Sequence, residues 1–380
     1  MTDRFFRALC AAPKIGGIAA FTQDFDVTLT AESTDGKCPL VTSLAMYEGE
    51  KPPKLQYFLL AADGTEIYRS YTYTLGEKGQ YSRKAHRFPP LFSYDVRAVF
   101  RVSVPNGTTL YVRDMHLASD TPRCEWHGGL RHDAHLGFLG LAPHNTMPAF
   151  ELAAACGFPS CIVVPKVTKD GVFVCIHDDT INRTARDRNG DPPKEEMAVA
   201  DMTYRELLEW DFGMWHHPIY RGTRIPRLEE FFDLCAKTGM RPFFSEHPAL
   251  TNDQWLAVKD MLKRRDLLHL FSVKSDELPM LEDAYAVLGD EIEGYTWYTF
   301  ADRRVSELQA TRIASAKCRV VVERRFGDYT PELAKETLDA GYTASAWWVD
   351  PRDADDVKRV IAYGVTEFTE DRHCSMGLDW

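Results

Sequence analysis

His135 and His177 are the residues of this chain whose type and setting point most directly to chemistry. An imidazole titrates closer to neutrality than any other ordinary side chain, so two at one site can take a proton from an attacking group and return one to a departing group. A single histidine is more often structural, and the pair acquires meaning only if the fold brings both to one place. The apolar run Cys161–Val167, the turn-forming Thr168-Lys169-Asp170-Gly171 and the run Val172–Asp178 predict a hairpin centred near Asp170, with His177 opposite Val163.

The elements that must position these residues alternate in type. Apolar strand-like runs occur at Ala134–Gly140, Cys161–Val167, Arg241–Glu246, His269–Val273, Ile292–Tyr298, Arg319–Glu323, Thr343–Val349 and Val365–Thr369. Between them lie helical patterns such as Thr146–Cys156, Asn252–Lys263, Pro331–Leu338 and Ala354–Ala362. Repeated βα units imply a parallel sheet with helices outside it, and eight runs are the number that closes a (β/α)8 barrel. An open doubly wound sheet is the alternative, but the first turn lacks the glycines such a sheet uses. Functional groups of a closed barrel gather at the carboxyl ends of its strands, which places His135, on the first strand, and His177 at one mouth.

Upstream, short alternating runs such as Phe25–Leu29, Leu55–Leu59, Val99–Val102 and Thr109–Val112 predict an all-β, jelly-roll-like sandwich, with tight hairpins at Asp63-Gly64 and Asn106-Gly107. The reading is an α/β chain with a sandwich over 1–120, a connector over 121–132 and a TIM-like barrel over 133–380. The 380 residues are 44% hydrophobic and 27% charged, enough apolar material for a large core. A formal charge of -11 argues against nucleic acid or an anionic membrane surface as partner. Charges at Asp3, Arg4 and Arg7 interrupt the apolar run a signal peptide needs, no later stretch has the length of a membrane span, and a cytoplasmic protein is expected. Of nine cysteines, Cys156, Cys161, Cys175 and Cys235 fall in apolar patterns, as buried reduced thiols do, and no Cys-x-x-Cys spacing suggests zinc.

Several segments resemble the glycerophosphodiester phosphodiesterase family: His135-Leu136-Gly137, Ala142-Pro143-His144-Asn145-Thr146, Thr168-Lys169-Asp170-Gly171 and Ile176-His177-Asp178-Asp179-Thr180-Ile181-Asn182-Arg183-Thr184. Ile225-Pro226-Arg227-Leu228-Glu229-Glu230 resembles the family's Ile-Pro-Thr-Leu-Glu-Glu, and Ala346-Trp347-Trp348-Val349-Asp350 its late Trp-Thr-Val-Asn strand. The resemblance covers roughly residues 130–376 and leaves the sandwich outside. It implies a TIM barrel in which a divalent metal and an arginine stabilise phosphoryl charge while two histidines move protons. His135 and His177 match those histidines. The remaining family positions differ: Leu136 stands for an arginine, His144 for a glutamate, and Ile162 and Val164 for the Glu-x-Asp pair that holds the metal. The family's Glu-x-Lys becomes Ser245-x-His247 or, one residue out of register, Glu246-x-Pro248.

The expectation is therefore a divergent hydrolase acting on a small phosphodiester or sugar phosphate. His135 and His177 are its catalytic pair, and His144, Glu246, His247 and Trp347 are its substrate-binding residues. No metal ligands and no cofactor are expected, since Ile162 and Val164 offer a hard divalent ion nothing; imidazoles alone would suit only a softer ion such as zinc. Two alternatives use the same barrel: a metal-independent glycoside-cleaving enzyme with carboxylates such as Glu246, Glu323 or Asp178, and a non-catalytic binding protein. Trp210, Trp215, His216 and His217 are expected on a loop near the mouth, as pocket wall or as an aromatic plug.

Overall fold

The structure is a computed structural model that describes residues 9–10, 20–29, 40–61, 64–70, 72–88, 96–118, 130–139, 142–245, 250–300, 315, 317–325, 328–347 and 354–370. Two compact units divide the chain, one holding antiparallel sheets and one holding a barrel.

In the first unit a four-stranded sheet runs in the order β1 (Leu9–Cys10), β9 (Thr109–Ala118), β3 (Leu40–Glu48) and β7 (Ser82–Arg87). A second sheet runs β2 (Ala20–Leu29), β8 (Val96–Pro105), β4 (Lys54–Leu60) and β5 (Glu66–Arg69), with β6 (Tyr73–Thr74) also on β4. The two face each other through aromatic residues. His86 of β7 stacks on Tyr57 of β4 at 5.1 Å and bonds the hydroxyls of Tyr68 and Tyr73 at 2.9 and 2.8 Å. A sandwich core needs such residues on the inner parity of each strand, because successive side chains leave a strand on opposite faces.

Of the two expected hairpins, the first joins β4 to β5, where Gly64 at φ 86° donates to Ala61 O; Asp63 itself lies outside the described residues. The second is corrected. Gly107 does turn the chain at φ 78°, but it leads from β8 into β9, which belongs to the other sheet. The local chemistry of Asn-Gly specifies a reversal; which sheet receives the returning strand depends on packing between layers.

The second unit is a closed parallel barrel. Its strands run β10 (Arg131–Ala134), β11 (Ser160–Val163), β14 (Arg241–Ser245), β15 (Ser272–Ser275), β16 (Gly294–Phe300), β17 (Cys318–Arg325), β18 (Thr343–Trp347) and β19 (Glu367–Glu370), and β19 pairs with β10. The hairpin arm β12 (Pro165–Val167) and β13 (Phe173–Cys175) forms its own antiparallel pair. Outward parity is apolar: Phe244 of β14 packs against Phe232, Trp255 and Phe271. Inward parity is largely polar. Asp133 takes hydrogen bonds from Ser160 and from Arg131 Nε, Arg241 pairs with Glu293 at 2.7 Å, and Arg319 pairs with Glu367.

Lys274 of β15 reaches past β16 to Glu323 of β17, so both must point into the barrel; their side chains are 8% and 5% exposed. The ammonium also lies 4.6 Å from the Tyr298 ring centroid, and Ser345 Oγ is 3.4 Å from the same carboxylate. Removing one partner of such a pair strands a charge in the interior, while replacing both does not. Lys274→Met should therefore cost roughly 3–5 kcal/mol in chemical denaturation, and the double variant Lys274→Met/Glu323→Leu should recover most of it. A single variant as stable as the parent would contradict the buried pair.

Candidate active site

β10 ends one residue before His135. The first strand thus lies earlier than the expected Ala134–Gly140, overlapping it only at Ala134, and His135 stands in the turn that follows it. The physical cause is the next two residues, since Leu136 and Gly137 adopt φ 53° and 84° and cannot continue an extended strand. At Gly137 a Cβ would lie 2.6 Å from Ala149 Cβ and 2.7 Å from the Ala149 carbonyl carbon, so the turn sits directly on the helix Met147–Ala155. Phe138 N donates to Ala149 O, and Asn145 N donates to Leu136 O at 2.8 Å. Asn145, itself at φ 54°, presents Oδ1 to the amide of Val164 at 3.3 Å. The loop bearing His135 and the loop bearing His144 are in this way fastened to each other and to the second strand.

His177 arrives from the other side. Pro165 pairs with Cys175, so the register sets His177 level with Val163, as the hairpin predicts. Its Nδ1 lies 2.7 Å from Asp178 Oδ1. A carboxylate only accepts, so Nδ1 donates, and in the uncharged form of the ring the lone pair is on Nε2. Arg183 grips the same carboxylate with two bonds, Nε to Oδ2 at 2.6 Å and Nη2 to Oδ1 at 2.7 Å. Burial works to raise the Asp178 pKa, but the hydrogen bonds and charges of His177 and Arg183 outweigh it and hold the carboxyl well below the usual range. Asp178, which the sequence offered as an acid or base of its own, is instead the ionised support of His177.

His144 is 8% exposed, its ring centroid 6.3 Å from that of His177 and 4.9 Å from that of Trp215. Both ring nitrogens are buried without a hydrogen-bond partner among the described residues. Burial, followed by the charges of Arg183 and His177, pushes its pKa down to about 3, so the ring is neutral. Trp215 is held by a bond from Nε1 to Phe212 O at 3.0 Å, and His216 Nε2 lies 3.3 Å from Leu139 O, which ties the aromatic loop to the turn after His135. Trp215 and His144 thus meet at one place, while Trp210 packs elsewhere, against a core that includes Val174, Ile181 and Phe212.

Ile162 and Val164 turn inward and join Leu136 and Phe243 in one apolar cluster, with Leu139 against it. Ile162 and Val164 stand where the resemblance calls for metal-binding acids, and Leu136 where it calls for an arginine. Four hydrocarbon side chains in contact do not fit a hard divalent cation, which needs oxygen ligands. Trp347 ends β18 on the same parity as Ser345, whose hydroxyl meets Glu323 inside the barrel, so Trp347 is aimed along the interior toward the mouth. Glu246 and His247 lie outside the described residues. Sequence reasoning assigned no role to Arg183 or Lys274; the Asn182-Arg183-Thr184 stretch was a visible signal for the first, whereas nothing local marked the second.

A closed parallel barrel with His135 just past its first strand and His177 on the arm after its second is a frame shared with a family of phosphodiesterases. Residues 135–373 match the Glycerophosphoryl diester phosphodiesterase family, to which this chain belongs. The YhdW protein of Bacillus subtilis strain 168 is 41% identical over 96 residues, 25% of this chain and 36% of that one. The glycerophosphodiester phosphodiesterase of Caldanaerobacter subterraneus subsp. tengcongensis is 38% identical over 101 residues, 27% of this chain and 38% of that protein. The chain thus spans little more than a third of the length of these relatives. Among solved structures, a phosphodiesterase of Oleispira antarctica in complex with the product sn-glycerol-3-phosphate shares the fold at TM-score 0.53 and 22% identity, over 64% of this chain and 93% of that one. No helix among the described residues is long and apolar enough to cross a membrane.

The depressed His144 pKa has a consequence for stability. The ordinary imidazole value is 6.5 and the folded value about 3, so between them the unfolded chain binds the extra proton and the folded chain does not. Stability contributed by this group is complete above the ordinary value and declines as pH falls toward the folded value. Between about pH 7 and about pH 5 the parent should lose roughly 2 kcal/mol that a His144→Phe variant keeps. Urea denaturation of both proteins at the two pH values measures the difference, and equal losses would refute the buried neutral ring.

Proposed function

We propose that the barrel hydrolyses a small phosphodiester or sugar-phosphate ester, with His177 and His135 as its proton-transfer pair. The observation that carries this reading is the orientation of His177: Asp178 fixes its tautomer and Arg183 fixes Asp178, an arrangement that prepares Nε2 to accept a proton. In the reaction Nε2 takes a proton from water as the water oxygen bonds to phosphorus. The phosphorus–oxygen bond to the leaving group then breaks, and protonated His135 gives its proton to the departing alkoxide. A diester gives a phosphomonoester and an alcohol; a sugar phosphate gives inorganic phosphate and the sugar. Neutral His144, able to donate from one nitrogen and accept at the other, would bind substrate hydroxyl or ester oxygens, with Glu246, His247 and Trp347 as further contacts. No step is assigned to a metal, in keeping with the apolar cluster of Leu136, Ile162, Val164 and Phe243.

That same cluster also favours a second reading, a barrel that binds such a ligand without cleaving it. Turnover of glycerophosphodiesters and sugar phosphates, followed by phosphorus NMR in the presence and absence of a chelator, separates the two. We expect chelator-resistant release of a phosphomonoester from a diester, or of inorganic phosphate from a sugar phosphate, reduced roughly 10²–10⁴-fold by His135→Ala or by His177→Ala with the fold intact. Activity abolished by the chelator would return the chemistry to a metal, and ligand binding without product would establish the binding protein.

A further inference from the structure

We propose that the groove bounded by Arg186, Arg188, Arg221 and Arg224 is a binding site for a small soluble anion carrying two or more phosphate groups. The groove encloses about 390 Å³, within the range of small-molecule sites. Four guanidinium groups around one cavity are conspicuous in a chain of formal charge -11. Their planar forks match phosphate oxygens, and their charge does not titrate away. Trp210, partly buried against the core, contributes an apolar wall.

Three acids also line the groove, and two of them are already committed to backbone amides. Asp187 Oδ1 accepts from the amides of Asn189 and Asp191 at 2.8 and 2.9 Å. Asp211 Oδ1 accepts from Gly213 and Met214 at 2.8 and 2.9 Å, and its Oδ2 from Gly222. The third, Glu209, stands 3.8 Å from Arg188, with side chains 70% and 90% exposed, a pairing that water and salt weaken to little. Arg186 spends Nη1 on the carbonyls of Ala185 and Arg183, and neither Arg221 nor Arg224 makes an ion pair with any described residue. Three of the four arginines thus line the groove without a carboxylate ion pair among the described residues.

The backbone beneath the groove is tied together by hydrogen bonds. Arg186 and Asp211 form a backbone bridge, and Asp211 clamps both ends of the segment 211–222. At Gly213 a Cβ would fall 2.0 Å from Tyr220 O, so backbone packs on backbone across the turn. A preformed site loses little freedom on binding, which favours affinity for a small ligand. The same segment carries Trp215 to His144 on its other side, so an occupant would stiffen the loop that flanks the mouth.

Inorganic pyrophosphate is the probe, titrated calorimetrically into the full chain at constant ionic strength. We expect saturable one-to-one binding, weakened at least about tenfold in the Arg221→Ala/Arg224→Ala variant, whose exposed changes leave the fold undisturbed. His177→Ala should bind like the parent. Absence of saturable binding, unchanged affinity in the arginine variant, or loss of binding in His177→Ala would each overturn the proposal, the last by placing the anion at the barrel mouth.

Discussion

Closure of a parallel sheet into a barrel imposes a strict parity: alternate side chains of each strand face the helices, and the others share one interior that no water layer separates. In this chain the outward parity is aromatic and aliphatic, as Phe244 among Phe232, Trp255 and Phe271 illustrates. The inward parity carries arginine, aspartate, lysine and glutamate, and those most deeply buried are paired with one another, as a charge out of water requires. Asp133 with Ser160 and Arg131, and Lys274 with Glu323, meet that demand across and between strands. The same parity turns Ile162 and Val164 inward, where Leu136 and Phe243 pack against them with Leu139 alongside.

The mouth therefore has two characters. Near β10, β11 and β14 the described side chains Leu136, Ile162, Val164 and Phe243 form a hydrocarbon cluster, which offers a hard cation no oxygen ligand. Beside that cluster, His177, Asp178 and Arg183 form a short polar chain whose charges are mutually supporting. His144 lies between this chain and Trp215, neutral because both burial and neighbouring charge oppose its protonation. Two residues in the left-handed region, Leu136 and Asn145, hold the loops in this arrangement, and the hydrogen bond from Asn145 N to Leu136 O links them directly. Left-handed backbone at a branched side chain costs free energy, of order 1 kcal/mol. Packing of Leu136 into the cluster is what offsets it.

Much of this was legible beforehand, for a physical reason that can be stated residue by residue. Periodicity is a property of local sequence, so the alternation of strand and helix announced eight barrel strands, and the helix Asn252–Lys263 has the bounds its pattern indicated. The Thr168–Gly171 turn fixed the register of the arm and with it the level of His177. The first barrel strand was read too late in the chain, over Ala134–Gly140 instead of Arg131–Ala134, because φ at Leu136 is set by its contacts with the second and third strands, which no local pattern records. Asn106-Gly107 announced a turn correctly and its partner sheet incorrectly, for the same reason.

By itself, then, the sequence determined the order of elements, the family frame of the barrel, and the substitution of hydrocarbon for acid at Ile162 and Val164. Tertiary structure alone decided what those substitutions became and how the polar residues were used. Asp178 could have been an acid, a base or a surface charge until Arg183, five residues on, folded back to hold it. Lys274 and Glu323 belong to strands separated by a third, and only closure of the sheet brings them together. Electrostatic interactions act through space at a few ångströms, whereas sequence records only distance along the chain.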